Sequence, residues 1–379
     1  MKHEIYEPRE DSYLILKHVK RLSSSKKVLD VGTGSGILAK EALKIAKKVS
    51  ALDINQNAVN NLLNVKGLDV FKSDLFSKVS DKFDLIIFNP PYLPYDSREP
   101  KSIQKYTTGG KKGYETLVRF IESVSDYLKI DGKVLIVFSS LTCKDKVDEV
   151  LVKNLLDFKL IDSCTCFFEE LFVYEICKSK FLKTLEKKEV TEVAGFNHGK
   201  RGNIYVGKFK GTKVAIKKQR EDSEVQGTVN FEFKALKKLN ESNIGPKVLF
   251  FGKDYFVYEY VPGKFIEDYF VHCSKQKCLW VLRSVMKQMF VLDSLGYTKE
   301  EMQHPPKHII VGKKVVLLDF ERCRIREKNH NVTQFCSYVR RLRNTLMSKG
   351  IKIDCNKLIK LAKEYRKDKN KFKEILRLF

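Results

Sequence analysis

Val28-Leu29-Asp30-Val31-Gly32-Thr33-Gly34-Ser35-Gly36 reads as the end of a buried strand, a glycine turn and the opening of a helix. The three glycines allow the backbone to approach a ligand where a Cβ would collide. The dinucleotide fingerprint places its glycines as G-x-G-x-x-G. Here Ile37 fills the third slot and Gly36 falls one residue early, which argues against a nicotinamide cofactor. Asp53 lies about 20 residues on, at the end of the next strand, where a carboxylate accepts hydrogen bonds from both ribose hydroxyls. Asp74, after the third strand, falls beside an adenine. Gly32, Gly34, Gly36, Asp53 and Asp74 together predict a nucleotide-like ligand. The loop alone also fits a plain tight turn.

Further short apolar runs, Val49–Ile54, Phe83–Phe88 and Lys133–Phe138, alternate with helical patterns. They predict an α/β fold with a parallel sheet and crossover helices. A last strand is expected over Phe167–Cys177. The stretch Lys178–Glu189 is rich in Lys and Glu, and a β-rich pattern starts near Val190, so a boundary is expected near residue 182. The expected domains are 1–180 and 186–379. In the second, strands occupy Val193–Tyr260 with one helix near Asn230–Leu239, and helices dominate from Glu267.

At 379 residues and 43% hydrophobic, the chain is long enough for two cores. No apolar run reaches the roughly 20 residues of a membrane span, and Met1-Lys2-His3-Glu4 begins no secretion signal, so a cytoplasmic protein is expected. Nine scattered cysteines without C-x-x-C spacing argue for reduced thiols over a disulfide framework or structural zinc. Net charge is +25, split as roughly +4 in residues 1–180 and roughly +21 in 181–379. The second half therefore favours polyanions such as RNA or ribosomes, although solubility alone also accounts for such a field.

Asn89-Pro90-Pro91-Tyr92 directly follows the fourth strand, at the carboxyl edge where open α/β sheets bind ligands. Two prolines stiffen the turn, so the Asn89 carboxamide oxygen and the Pro90 carbonyl are expected to point inward as acceptors for one NH2 group. Tyr92 is expected to stack on a flat amide or base. An amide nitrogen is a poor nucleophile. Two accepted hydrogen bonds favour its pyramidalisation and stabilise charge that develops only in the transition state of transfer to an electrophilic methyl.

Residues 1–178 resemble the HemK-type methyltransferases, most closely the short archaeal and eukaryotic branch. Tyr6-Glu7-Pro8-Arg9-Glu10-Asp11-Ser12-Tyr13 resembles the opening signature, Asp30–Gly36 the donor loop and Asn89–Pro94 the substrate motif. Gly109-Gly110-Lys111-Lys112-Gly113 resembles the glycine-rich loop after the active site. The resemblance implies a class I Rossmann-like methyltransferase sheet with flanking helices and S-adenosylmethionine as donor. It implies the glutamine of the GGQ motif in class 1 release factors as acceptor, with Glu10, Asp11 and Ser12 near the donor pocket. It also implies a small zinc-binding activator subunit over an apolar edge. The eukaryotic branch is associated with protein lysine methylation as well. Asn-Pro-Pro-Tyr also occurs in RNA and DNA amino-methyltransferases, and that alternative stays open.

In the second half, Gly199-Lys200-Arg201-Gly202 precedes Val214-Ala215-Ile216-Lys217, a glycine lid over phosphates followed by a strand lysine that neutralises them. Glu232 is the expected helical partner of Lys217, Tyr258–Gly263 the adenine hinge, and Asp319 a Mg²⁺ ligand after an apolar strand. Residues 190–340 resemble small atypical serine/threonine protein kinases of the RIO and Bud-type lineage, which implies an α+β fold and ATP. No A-P-E motif follows. With His308 aligned on the metal-binding Asn of the kinase catalytic loop, Gln303 takes the base position and cannot accept a proton. Glu301 is the nearest carboxylate, and Glu321 replaces the D-F-G glycine. Phosphoryl transfer and a regulatory or RNA-docking pseudokinase are both open. The tail 331–379, with about 14 Lys/Arg against about 4 Asp/Glu, predicts basic amphipathic helices whose apolar side packs into this domain.

Overall fold

The computed structural model describes residues 5–166, 168–198, 202–220 and 227–379. The chain divides into two compact units. One runs to Gly195 and includes Gly207–Gly211, and the other comprises Phe196–Val206 and Thr212–Phe379.

The first unit is built on seven strands: β1 (Lys27–Val31), β2 (Lys48–Asp53), β3 (Leu68–Lys72), β4 (Phe83–Phe88), β5 (Leu128–Ser139), β6 (Leu156–Cys166) and β7 (Glu169–Lys178). Their order is β3-β2-β1-β4-β5-β7-β6. The first five pair in parallel. β1 and β4 are buried almost throughout, as strands covered on both faces are. Beside these parallel pairings, one edge is antiparallel, where β7 runs against both β5 and β6. The link between β6 and β7 is far too short for the crossover that a parallel pair needs.

The flanking helices are α1 (Glu10–Ser23), α2 (Ile37–Leu43), α3 (Gln56–Leu62), α4 (Lys101–Thr107), α5 (Glu115–Tyr127) and α6 (Lys144–Lys153). Leu14, Ile15 and Val19 of α1 and Leu38, Ala39 and Ala42 of α2 pack on Val28, Val49, Leu85 and Leu135 of the sheet. That packing fixes the start of α1 beside the carboxyl ends of β1 and β4. The Lys/Glu-rich stretch after β7 forms α7 (Lys180–Lys187). Lys178, fully buried, donates to the Leu128 carbonyl at 2.8 Å and to the Glu186 carboxylate, which ties α7 to the sheet.

A second sheet contains β8 (Val190–His198), β9 (Gly202–Phe209), β10 (Thr212–Gln219), β11 (Val248–Phe251) and β12 (Tyr255–Glu259), ordered β8-β9-β10-β12-β11. Helix α8 (Thr228–Leu239) connects β10 to β11 and lays Val229, Leu236 and Leu239 in the core. Helices α9 (Ile266–His272) and α10 (Lys275–Ser294) follow, then the hairpin β13 (Ile309–Val311) and β14 (Val315–Leu317). The tail forms α11 (Asn331–Arg341), α12 (Arg343–Ser348), α13 (Cys355–Tyr365) and α14 (Phe372–Leu376). Its Leu342, Leu346, Leu358, Leu361 and Tyr365 are buried in the core of the second unit. Among the described residues no helix is long and apolar enough to cross a membrane.

Candidate functional site

The glycine turn after β1, the turn after β4 and the first turn of α1 enclose a cavity of about 840 Å³, within the roughly 300–1,000 Å³ typical of small-ligand sites. Gly32, Gly34, Asp53, Asp74, Glu10, Asp11, Asn89, Pro90 and Tyr92 all line it. Gly32 and Gly34 hold φ of +63° and +51°, a region that side chains disfavour. Asp53 accepts the Gly34 N–H at 2.9 Å and the Asn55 N–H at 2.8 Å, so it anchors the turn as well as facing the cavity. Burial raises its pKa against the pull of those bonds. Asp74 is ion-paired at 2.8 Å to Arg119 of α5, a cavity residue that the sequence reading missed.

Three expected site residues stand behind the cavity wall. Asp30, 1% exposed, accepts from Thr33 Oγ1 at 2.7 Å and from the Ala39 N–H at 3.1 Å, which ties the turn to α2. Burial pushes its carboxyl up to about 7. Gly36 has φ +78°, and a Cβ there would meet Leu62 at 2.5 Å, so it serves the packing of α2 on α3. Ser12 is buried beneath Asn89 and accepts from its Nδ2 at 3.2 Å.

Asn89 Nδ2 also donates to Asp11 Oδ2 at 3.0 Å. Asn89 Oδ1 is buried and accepts no hydrogen bond among the described residues. The carboxamide therefore spends its donor end on the protein, and its buried acceptor end is left without a partner among the described residues. The turn itself is braced from outside. Thr142 Oγ1 donates to the Tyr92 carbonyl at 3.0 Å. Gly113, at φ +89°, approaches so closely that a Cβ would lie 2.6 Å from the same oxygen, and a Cβ on Gly109 would lie 2.6 Å from the Pro91 oxygen. The glycine-rich loop thus packs backbone to backbone on the turn.

The family described as Methyltransferase small domain matches residues 9–159. A Methanocaldococcus jannaschii protein named "Putative protein N5-glutamine methyltransferase" is 46% identical over 149 residues, which cover 37% of this chain and 74% of that protein. Through this region the chain belongs to the HemK-type protein N5-glutamine methyltransferases. Human Methyltransferase HEMK2 is 30% identical over 169 residues, covering 40% of this chain and 77% of the human protein. The release factor glutamine methyltransferase of Streptococcus pneumoniae is 32% identical over 145 residues; these span 34% of this chain and 50% of that enzyme.

A HemK-type enzyme takes its methyl group from S-adenosylmethionine, and the residues present fit that donor. The glycine turn is a cradle that side chains would fill, since a Cβ on Gly32 would lie 3.3 Å from the Phe88 ring. Asp53 lines the same cavity.

A second cluster lies in the second unit. Lys217 Nζ is 2.6 Å from Glu232 Oε2, 3.4 Å from Asp319 Oδ1 and 3.6 Å from Glu321 Oε2. Burial alone would depress the lysine, but these carboxylates hold its pKa above the usual value. Burial raises Glu232 in turn. With Lys217 at 2.6 Å and the Phe320 N–H at 2.9 Å, we take the pair as charged. Glu232, Asp319 and Glu321 have ligand atoms within 4.8 Å of one another. His308 Nδ1, by contrast, stands 3.8 Å from Asp319 Oδ2, and burial lowers its pKa, followed by Lys299. Gly202 sits above the cluster, where a Cβ would be 3.4 Å from Lys217 Cε; Gly199 falls outside the described residues. Glu301, the expected base, is bound at 3.1 Å by Lys299 Nζ, which also donates to the Asp319 carbonyl. Lys299 is fully buried and lacked any sequence signal, because a Lys two residues from a Glu reads as surface.

Proposed function

We propose that the first unit methylates the glutamine amide of the GGQ motif in a class 1 translation release factor. The observation that supports the reading is the unpaired acceptor of Asn89, a residue of the cavity lining whose nitrogen is held by two contacts. S-adenosylmethionine supplies the electrophilic methyl group. Asn89 Oδ1 accepts from the substrate NH2 and orients its nitrogen, and Tyr92 covers the flat amide. Asn89 Oδ1 would also stabilise the positive charge that develops on the substrate nitrogen until its proton passes to solvent water. In a test with labelled methyl donor offered either release factor or RNA, label in the protein glutamine is expected. Label confined to RNA would favour the amino-methyltransferase alternative and overturn this reading. A small zinc-binding activator on an apolar edge belongs to the same reading, and its test is co-elution with this chain. Work on a release factor puts the protein in the cytoplasm.

The second reading concerns the other unit, which we infer to be a small protein-kinase-like domain that binds ATP and Mg²⁺. It is supported by the Lys217–Glu232 pair with Asp319 alongside and by Gly202 above it. In that arrangement Asp319 and Glu321, whose ligand atoms lie within 4.8 Å of one another, would hold the Mg²⁺. Glu301 is already bound to Lys299, and Gln303 has no basic group, which favours nucleotide binding over fast phosphoryl transfer. The basic tail supports an RNA or ribosome contact. Lys357, Lys360, Lys363 and Lys367 are exposed along α13 and just beyond it, and have no carboxylate partner among the described residues. RNA binding that does not weaken with salt would count against this contact.

A further inference from the structure

An Asn carboxamide is nearly symmetric in shape, so nothing in Asn89 itself decides which end faces the substrate. With the oxygen outward it accepts from an NH2 group. With the nitrogen outward it repels one. The choice is made by what lies behind it.

Behind it lies Asp11, 4% exposed at the start of α1. Asn89 Nδ2 donates to its Oδ2 at 3.0 Å. The Tyr6 hydroxyl donates to both carboxylate oxygens, at 2.8 and 2.9 Å, and Tyr92 Oη lies 3.5 Å away. The Ser12 N–H donates to Oδ1 at 2.6 Å, and Ser12 Oγ donates to the same oxygen at 3.2 Å. Burial first, and then the charge of Asp11, raise both phenols well above their ordinary range, so both stay protonated donors. Every group facing Asp11 is thus a donor, and an ionised carboxylate can only accept. Turning Asn89 over would set its carbonyl against that carboxylate and forfeit a charge-assisted hydrogen bond.

We infer that Asp11 is a positioning residue that fixes the polarity of the Asn89 carboxamide and so makes it an acceptor toward the substrate. The inference rests on the Asn89 clamp and deepens it. The opening turn of the domain and the turn after β4 then form one device, although 78 residues separate them in the chain. An Asn at position 11 would keep the shape but offer both a donor and an acceptor, and Asn89 could then settle either way round.

The test uses the full-length chain with a release factor as acceptor and three variants: Asp11→Asn, Asn89→Ala and the two combined. Turnover, the acceptor KM, the affinity for S-adenosylmethionine by calorimetry and the melting temperature are measured for each. Asp11→Asn is expected to lower kcat by roughly 10- to 100-fold, with donor affinity within about 2-fold of the parent. The double variant is expected to be no slower than Asn89→Ala alone, since Asp11 acts through that residue. Losses that multiply, or a fall in donor affinity that accounts for the slower rate, would overturn the inference. So would a normal Asp11→Asn beside an inactive Asn89→Ala, with the clamp left standing. An active Asn89→Ala would instead remove the clamp itself. Ser12→Ala, which deletes the second acceptor of Asn89 Nδ2, provides a milder variant should Asp11→Asn melt early. Its smaller kcat loss must likewise vanish in the Asn89→Ala background, and a loss that persists there counts against the inference.

Discussion

Asp30 shows how a single buried carboxylate can hold a loop and still cost stability. Its folded pKa of about 7 exceeds the unfolded value of about 3.9, so the folded state keeps a proton that the unfolded state has already lost. Stability from this group is therefore greatest below about pH 4 and falls as the pH rises toward 7. The loss is on the order of a few kcal/mol. Urea unfolding between pH 4 and 8 is expected to show this decline in the parent protein and a flatter profile in Asp30→Asn, whose carboxamide oxygen can still accept from Thr33 and Ala39. Equal slopes in the two proteins would refute the assignment. Asp74, expected beside an adenine, also has beside it the guanidinium of Arg119 from α5, 45 positions away.

At the scale of elements, the Asn89–Tyr92 turn is stiffened from within by proline and from without by glycine. Gly113 has both a positive φ and a neighbouring carbonyl at Cβ-clash distance. Gly113→Ala is expected to push the Tyr92 carbonyl outward and carry the clamp with it. A displacement near 1 Å costs turnover up to about 100-fold, while the affinity for S-adenosylmethionine is expected to change little. Single-turnover kinetics beside calorimetry would check this, and a variant that loses donor affinity instead would disprove the bracing role. β6 is the element that the sequence hid. Its residues are largely exposed or half-exposed, and apolar periodicity does not report such an edge strand. β7, by contrast, was visible as a nearly unbroken apolar run.

At the scale of the whole molecule, the two proposed readings fall on different units of one chain, and variants should separate them. Lys217→Ala is expected to abolish ATP binding, measured by calorimetry, and to leave methyl transfer unchanged. Retained ATP affinity would mean that the phosphate site lies elsewhere. Reversing charge at Lys360, Lys363 and Lys367 together is expected to weaken RNA binding and to flatten its dependence on log salt by about 2 to 3, at roughly 0.7–0.9 for each phosphate no longer neutralised. An unchanged slope would remove α13 from the interface. The sequence alone determined the strand–turn–helix nucleus, the positive-φ turn glycines Gly32 and Gly34, the motifs that carry the family resemblance and the pairing of Lys217 with Glu232. All of these rest on local spacing and periodicity, which the chain carries in linear order. Only the tertiary structure decided that Asp11 and Ser12 lie behind Asn89, that Asp30 and Gly36 serve packing, that Arg119 meets Asp74, and that Lys299 occupies Glu301. Each of these joins residues from different elements. Hydrogen bonding and close packing act through space, and no spacing along the chain encodes them until the sheet and its helices have assembled.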